Sequence, residues 1–215
     1  MSSNIRNKTI LGMAGITVFA AVLCVGCYDL GLEPSITAST VETFVDPRDG
    51  HVYKKVKIGN QTWMAENLNF AADGSVCHRY GCETYGRQYD WNTAMDNVPS
   101  SIAKPSGVEG VCPVGWHLPS DAEWSELTDY IGEHAGTKLK SKTFSGTDGA
   151  PYGTDLYGFS ALGGYHNPAI WWTATEYEGN ENWGWIRNVG ESYDWVGRVH
   201  QDKHENFYSV RCVHD

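Results

Sequence analysis

Residues 124 to 131 carry a helical period: Trp124, Leu127, Thr128 and Ile131 stand at i, i+3, i+4 and i+7 and define one buried face. The start of that helix is written just upstream. Ser120 and Glu123 have capping-box spacing, in which the hydroxyl accepts from the Glu123 amide while the carboxylate returns to the Ser120 amide, and Pro119 presets the backbone ahead of them. Gly132 can end the helix in a left-handed conformation. A second, shorter helix is predicted from Asp90 as cap through Met95, with Trp91, Ala94 and Met95 on its inner side and Pro99 stopping it. Elsewhere the period is two, or absent. His51 to Ile58 reads as a strand in which Val52, Val56 and Ile58 share a face with Lys54, Gly59-Asn60 as a hairpin turn, and Thr62-Trp63-Met64 as the returning strand. Residues 136–141 and the Gly-rich stretch through Gly153 read as exposed loops. Beyond them 170–177, 182–189, 195–200 and 207–213 set aromatic residues between polar turns and predict an antiparallel sheet closed by Val210-Arg211-Cys212-Val213. The class is α+β, with two short helices, irregular antiparallel sheets and many loops.

The first 26 residues follow neither period. Arg6 and Lys8 precede an uncharged apolar run from Ile10 to Val25, shorter than the ~20 residues a spanning helix needs, which reads as a signal peptide. The run closes on Leu23-Cys24-Val25-Gly26-Cys27, and a small residue directly before a cysteine resembles the bacterial lipobox. Cys27 is therefore expected to be the lipidated first residue of the exported chain; Cys24, behind bulky Leu23, is the poorer acceptor. Residues 27–43 hold Gly, Pro, Ser and Thr without a clear period and read as a tether that spans on the order of 20–25 Å as a coil. The globular domain is expected over 44–215. This organisation places the protein on a membrane through an N-terminal lipid, at the bacterial outer membrane or cell surface.

Charge narrows the partners. The chain carries −10, and the signal segment holds two of its 16 basic residues and none of its 26 acidic ones, so the remainder carries −12. Such a surface repels phosphate backbones, and no Lys/Arg cluster offsets it, which excludes nucleic acid. Nine Trp, twelve Tyr and 24 Gly suit short strands, turns and irregular loops better than long helices.

Five stretches resemble one family. Cys112-Pro113-Val114-Gly115-Trp116-His117-Leu118-Pro119 before a helix and Ser209-Val210-Arg211-Cys212-Val213 at the end match the pattern of the Fibrobacter succinogenes major paralogous domain. Trp63 to Leu68, Tyr85 to Trp91 and Gly158 to Tyr165 are similar to it as well, with Glu66 and Asn67 read as residues that hold loops together. The resemblance implies kinship with the formylglycine-generating and sulfatase-modifying domains and, more distantly, a C-type-lectin-like fold. It implies no reaction. Turn context and the resemblance together select Cys112 with Cys212 out of the three pairings of four cysteines. The other bridge, Cys77 with Cys82, also follows from the short spacing in an exported chain.

Enzyme chemistry is not expected. The two bridges consume every cysteine left after export, so the reactive copper-binding pair of formylglycine generation is missing. His200-x-x-x-His204 has metal-ligand spacing only on a helix, and it lies between two strand signals. Asp121 with Glu123 and Glu176 with Glu178 read as cap and turn residues in preference to paired acids. No metal or other cofactor is expected, and the calcium signatures of sugar-binding C-type lectins do not occur. Binding has the better support. Trp171, Trp172, Tyr177, Trp183, Trp185, Tyr193 and Trp195 crowd one segment among amides and carboxylates, and a pyranose offers a C–H face and a rim of hydroxyls to such a mixture. About half of these rings are expected in the core, Trp172 and Trp185 among them. The candidate site is then the turn-borne Tyr177, Glu178, Asn180, Asn182 and Trp183, for a glycan or another surface component. A purely structural envelope lipoprotein and a degenerate sulfatase-modifying oxidase are the alternatives.

Overall fold

The computed structural model describes residues 41–149, 152–164 and 166–214. The signal segment, Cys27 and the tether as far as residue 40 lie outside the described residues. Two sheets organise the domain. The first runs β1 (Glu42–Val45), β2 (Val52–Ile58), β3 (Gln61–Met64) and β10 (Val213–His214), each antiparallel to its neighbour. The second has the order β4 (Val76–Cys77), β5 (Arg87–Tyr89), β9 (Tyr208–Ser209), β6 (Ala169–Glu176), β7 (Trp183–Val189) and β8 (Gly197–Asp202). Four short helices lie between the strands: α1 (Cys82–Tyr85), α2 (Trp91–Met95), α3 (Asp121–Ile131) and α4 (Ala135–Leu139). β1 takes in Glu42 and Thr43, two residues ahead of the expected start of the domain, because Glu42 pairs with Lys55 in the ladder.

The α3 signals act as written. Ser120 Oγ accepts from the Glu123 amide at 3.2 Å, Glu123 Oε2 accepts from the Ser120 amide at 2.9 Å, and Trp124, Leu127 and Ile131 are buried. Gly132 ends the helix at φ 71°, ψ −146°, a positive-φ extended conformation and not the left-handed helical one. Asp90 caps α2 through Oδ1 on the Thr93 amide at 2.7 Å.

Alternation along the strands has an outcome that periodicity does not reveal. Tyr53, Met64 and Cys212 enter one apolar cluster with α2, Trp116, Leu118, Trp172, Ala174 and Ile186. Their neighbours Val56, Ile58, Trp63, Ala65 and Val213 enter a second with α3, Phe159, Trp171 and Val189. Successive side chains point to opposite faces, so these strands feed two cores at once. That is why neither Trp171 nor its neighbour Trp172 reaches water. It also corrects the face assigned to β2. Val56 and Ile58 are buried, but Val52 is 54 % exposed beside exposed Lys54, and Tyr53 is the buried residue at that end of the strand.

The resembling stretches meet at one buried node. Asn67 Oδ1 accepts from Trp171 Nε1 at 2.8 Å and from Arg211 Nη2 at 2.9 Å and Nε at 3.2 Å, while its Nδ2 donates to Tyr85 O at 2.9 Å and to Ser209 Oγ at 3.3 Å. Arg211 is fully buried, donates to Phe159 O, and lies over the Phe159 ring at 4.3 Å. Its guanidinium also faces the Trp171 ring at 5.4 Å, and Trp63, Trp124, Phe159 and Trp171 form one aromatic cluster with ring centroids 4.7 to 5.9 Å apart. The Cys112 stretch is tied to the end of the chain twice, by paired backbone bonds between His117 and Val213 at 2.9 and 3.0 Å and by the Cys112–Cys212 disulfide. Cys77–Cys82 closes the short loop before α1.

Three further expectations are overturned. Four helices replace two, because α1 and α4 are single turns whose sequences carry no apolar period. The C-terminal strands do not close one sheet: β9 runs antiparallel to β5 and meets β6 in parallel at Trp171–Ser209, and β10 crosses to the first sheet. Residues 136–141 are not an exposed loop. Gly136 sits where a Cβ would come within 2.4 Å of Trp195 O, so the 190–196 segment folds over α4 and covers it.

Lys140, beneath that cover, is fully buried and donates to Tyr193 O, with its ammonium 4.2 Å from the Tyr152 ring centre and 5.2 Å from that of Phe144. Burial brings it from the usual 10.5 down to about 8, against the pull of Asp194 and Glu191. Between about pH 8 and 10.5 the unfolded chain still holds this proton while the fold has released it, so this group adds stability as pH rises through that window. Relative to Lys140→Met, the protein is expected to gain up to about 1.4 kcal/mol per pH unit there in urea titrations. A difference that stays flat would make Lys140 an ordinary lysine.

Candidate ligand-binding groove

An open groove of about 730 Å³ lies between α3, the 101–104 loop and the β6–β7–β8 sheet. The start of α3 is bolted to that sheet. The Asp121 amide donates to Thr175 Oγ1 at 3.0 Å, and Thr175 Oγ1 donates to Ser101 O at 2.6 Å, so helix, strand and loop share one hydroxyl. Arg187 and Arg198 stand opposite each other across β7 and β8, where like charges repel. Asp121 resolves this by giving one oxygen to each: Oδ1 to Arg187 Nε and Oδ2 to Arg198 Nε, both at 2.7 Å. Arg187 is buried, and its Nη2 donates to Asp121 O at 2.9 Å and to Ser125 Oγ at 2.8 Å.

Arg198 is different. Its side chain is 44 % exposed, and its guanidinium carbon lies 3.4 Å from the centre of the Trp185 ring. Trp185 is itself fixed. Its Nε1 donates to Glu178 Oε2 at 3.1 Å, and Tyr177 meets it edge-on at 5.2 Å. Hydrogen bonds from its own backbone amide and from Trp185 hold the Glu178 carboxyl below the usual carboxylate range. At the rim Lys104 pairs with Glu126 at 2.9 Å, and Ile102 and Tyr130 are 81 % and 59 % exposed. The groove is thus an ordered aromatic-guanidinium floor between a polar helix face and an exposed apolar rim.

Of the five residues expected at a site, Glu178 lines this groove, and Tyr177 packs against the edge of Trp185. Trp183 lies aside, half-buried, with its ring 4.6 Å from His200, which in turn stacks 4.2 Å from Tyr177. Asn180 and Asn182 build the β6–β7 turn: Asn180 Oδ1 accepts from the Asn182 amide at 2.9 Å, and Asn182 O accepts from the Lys203 amide at 2.9 Å. Trp172 and Trp185 are packed, at 0 % and 7 % exposure. Glu123, one of the paired carboxylates weighed as acids, faces inward with His117 Nε2 at 2.7 Å, and Glu176 is held by Lys203.

Sequence reasoning missed Arg198, Lys104, Tyr130 and the polar side of α3. The last had a signal. Ala122, Ser125, Glu126, Asp129 and Tyr130 repeat at i, i+3, i+4, i+7 and i+8, the complement of the buried stripe. Arg198 had none, because only the pairing of β7 with β8 brings it to Trp185 and Asp121.

Neither the curated proteins nor the solved structures contain a match to this chain. A family model does match, that of the Fibrobacter succinogenes major domain, over residues 56–214, a span that begins in β2, ends in β10 and contains both disulfides and the Asn67 node. The chain belongs to the Fibrobacter succinogenes major domain family.

Proposed function

We propose that the protein is a lipid-anchored component of the bacterial outer membrane or cell surface, with a C-type-lectin-like domain that holds a glycan or another surface component and performs no chemistry on it. The groove over Trp185 and Arg198 carries this reading. Saccharides are held by fixed polar groups set beside apolar faces, and here Arg198, Lys104, Glu126 and Asp129 stand beside Tyr130 and Ile102. The chemistry of the described side chains supports a binding role over catalysis. All four cysteines of the described domain are in disulfides, which leaves no reactive pair, and Asp121 is neutralised by two arginines. No helix among the described residues is long and apolar enough to cross a membrane, and in this proposal attachment falls to Cys27.

Two measurements test the proposal. The full-length protein in detergent is expected to give selective signals on a glycan array; a blank array would leave a structural lipoprotein as the account. Cys27→Ser is expected to release the protein from the membrane fraction or leave its precursor unprocessed. Palmitate labelling that persists in that variant would remove Cys27 as the anchor.

A further inference from the structure

We infer that the groove is shaped for a saccharide bearing a single carboxylate, seated on the guanidinium of Arg198; this rests on the glycan reading above. The observation is an arginine held in place with its recognition edge unused. Nε is fixed by Asp121 Oδ2 at 2.7 Å and the plane by the Trp185 ring at 3.4 Å, yet among the described residues neither terminal nitrogen has a hydrogen-bond partner. Arg187, on the same aspartate, shows the contrast, since it is buried and its Nη2 donates inside the protein to Asp121 O and Ser125 Oγ. A guanidinium fixed at Nε and stacked on a ring has lost its rotamer freedom before any ligand arrives, and its free edge has the fork geometry that matches two oxygens of one carboxylate.

The surroundings set the charge of the ligand. Glu126, Asp129 and Glu178 line the same groove, and the chain as a whole is acidic. A ligand with several negative charges is repelled by these carboxylates, whereas one carboxylate is met by Arg198 and the rest of a neutral sugar by Tyr130 and Ile102. A uronic acid within an otherwise neutral glycan has this chemistry. A phosphorylated or densely sulfated chain does not.

The test uses three probes on the full-length protein in detergent: a disaccharide of glucuronate and a neutral hexose, the same disaccharide with its carboxyl reduced to the alcohol, and the reduced form carrying a 6-sulfate. The uronate is expected to bind at least about tenfold more tightly than the reduced form and the sulfate, the scale of a charge-assisted pair. Arg198→Gln should abolish the difference, and Arg198→Lys should restore little of it, because an ammonium keeps the charge but not the fork. Equal binding of uronate and reduced sugar overturns the carboxylate seat and leaves the glycan reading standing. Sulfate binding as tightly as uronate overturns it in favour of a general anion seat. If no probe binds and the array is blank, both readings fall together; if only neutral glycans bind on the array, the carboxylate seat alone falls. Should Arg198→Gln melt early, the comparison of uronate with reduced sugar on the unaltered protein decides.

Discussion

Replacing Cys112 and Cys212 together with alanine is expected to lower the unfolding free energy by about 4 to 5 kcal/mol, the chain-entropy cost of freeing a loop of this length. The bridge spans 100 positions, is buried at both ends, at 1 % and 0 % exposure, and ties the segment ahead of α3 to β10. Removing Cys77–Cys82, which spans five positions next to an exposed loop, should cost about 2 kcal/mol on the same reasoning. Urea unfolding of the two double variants reads the contrast directly. Equal losses would mean that the unfolded chain already keeps Cys112 and Cys212 close. With the ordinary stability of a domain at about 5 to 15 kcal/mol, the long bridge accounts for a large share of the whole.

Asn67→Leu is expected to cost about 3 to 5 kcal/mol. The side chain it removes is the acceptor for two donors of a fully buried guanidinium and for the indole of Trp171. Leucine fills a similar volume but leaves Arg211 Nε and Nη2 without their acceptor, with Phe159 O remaining for Nη1, and a poorly compensated buried charge is among the costliest defects a core can carry. Among the described residues Arg211 has no carboxylate in contact, and Glu66 and Asp155 act on it only from a distance, so burial pulls its pKa below the usual arginine value. Asn67→Asp separates the contributions. It keeps the acceptor oxygen and adds a countercharge, while it gives up the bonds from Nδ2 to Tyr85 O and Ser209 Oγ. It should therefore recover most of the loss, and a variant as unstable as Asn67→Leu would show that the donor side of Asn67 matters more.

The node also gathers the stretches that carry the family resemblance. Trp63, Asn67, Tyr85, Cys112, Phe159, Arg211 and Cys212 come from every resembling stretch, and each contributes a ring, a hydrogen bond or a sulfur to the joint between the two cores. The groove draws on other residues. Arg198, Trp185, Glu178, Tyr130 and Lys104 lie outside the Asn67 node and the Cys112–Cys212 joint.

Apart from the Cys112–Cys212 bridge, which turn context and the family resemblance indicated, the features legible in the sequence were those whose partners lie within a few residues of one another. The capping box at Ser120 and Glu123, the Asp90 cap, the Gly59-Asn60 hairpin and the Cys77–Cys82 loop all close over five positions or fewer, and local geometry suffices to form them. Alternation also marked 170–177 and 182–189 as strands with packed rings. It could not say that both faces are buried, since a period of two records that neighbours face opposite ways and not what covers each side. Tertiary structure decided the rest. The last strand joined the first sheet because Cys212 and Val213 found Cys112, Trp63 and His117, and α4 formed under the 190–196 segment around a buried lysine that a polar run had presented as solvated. Arg198 reached Asp121 across 77 positions, and Asn67 reached Arg211 across 144. Contacts of that span depend on which chain segments pack together, and no short window of sequence contains both halves of such a pair.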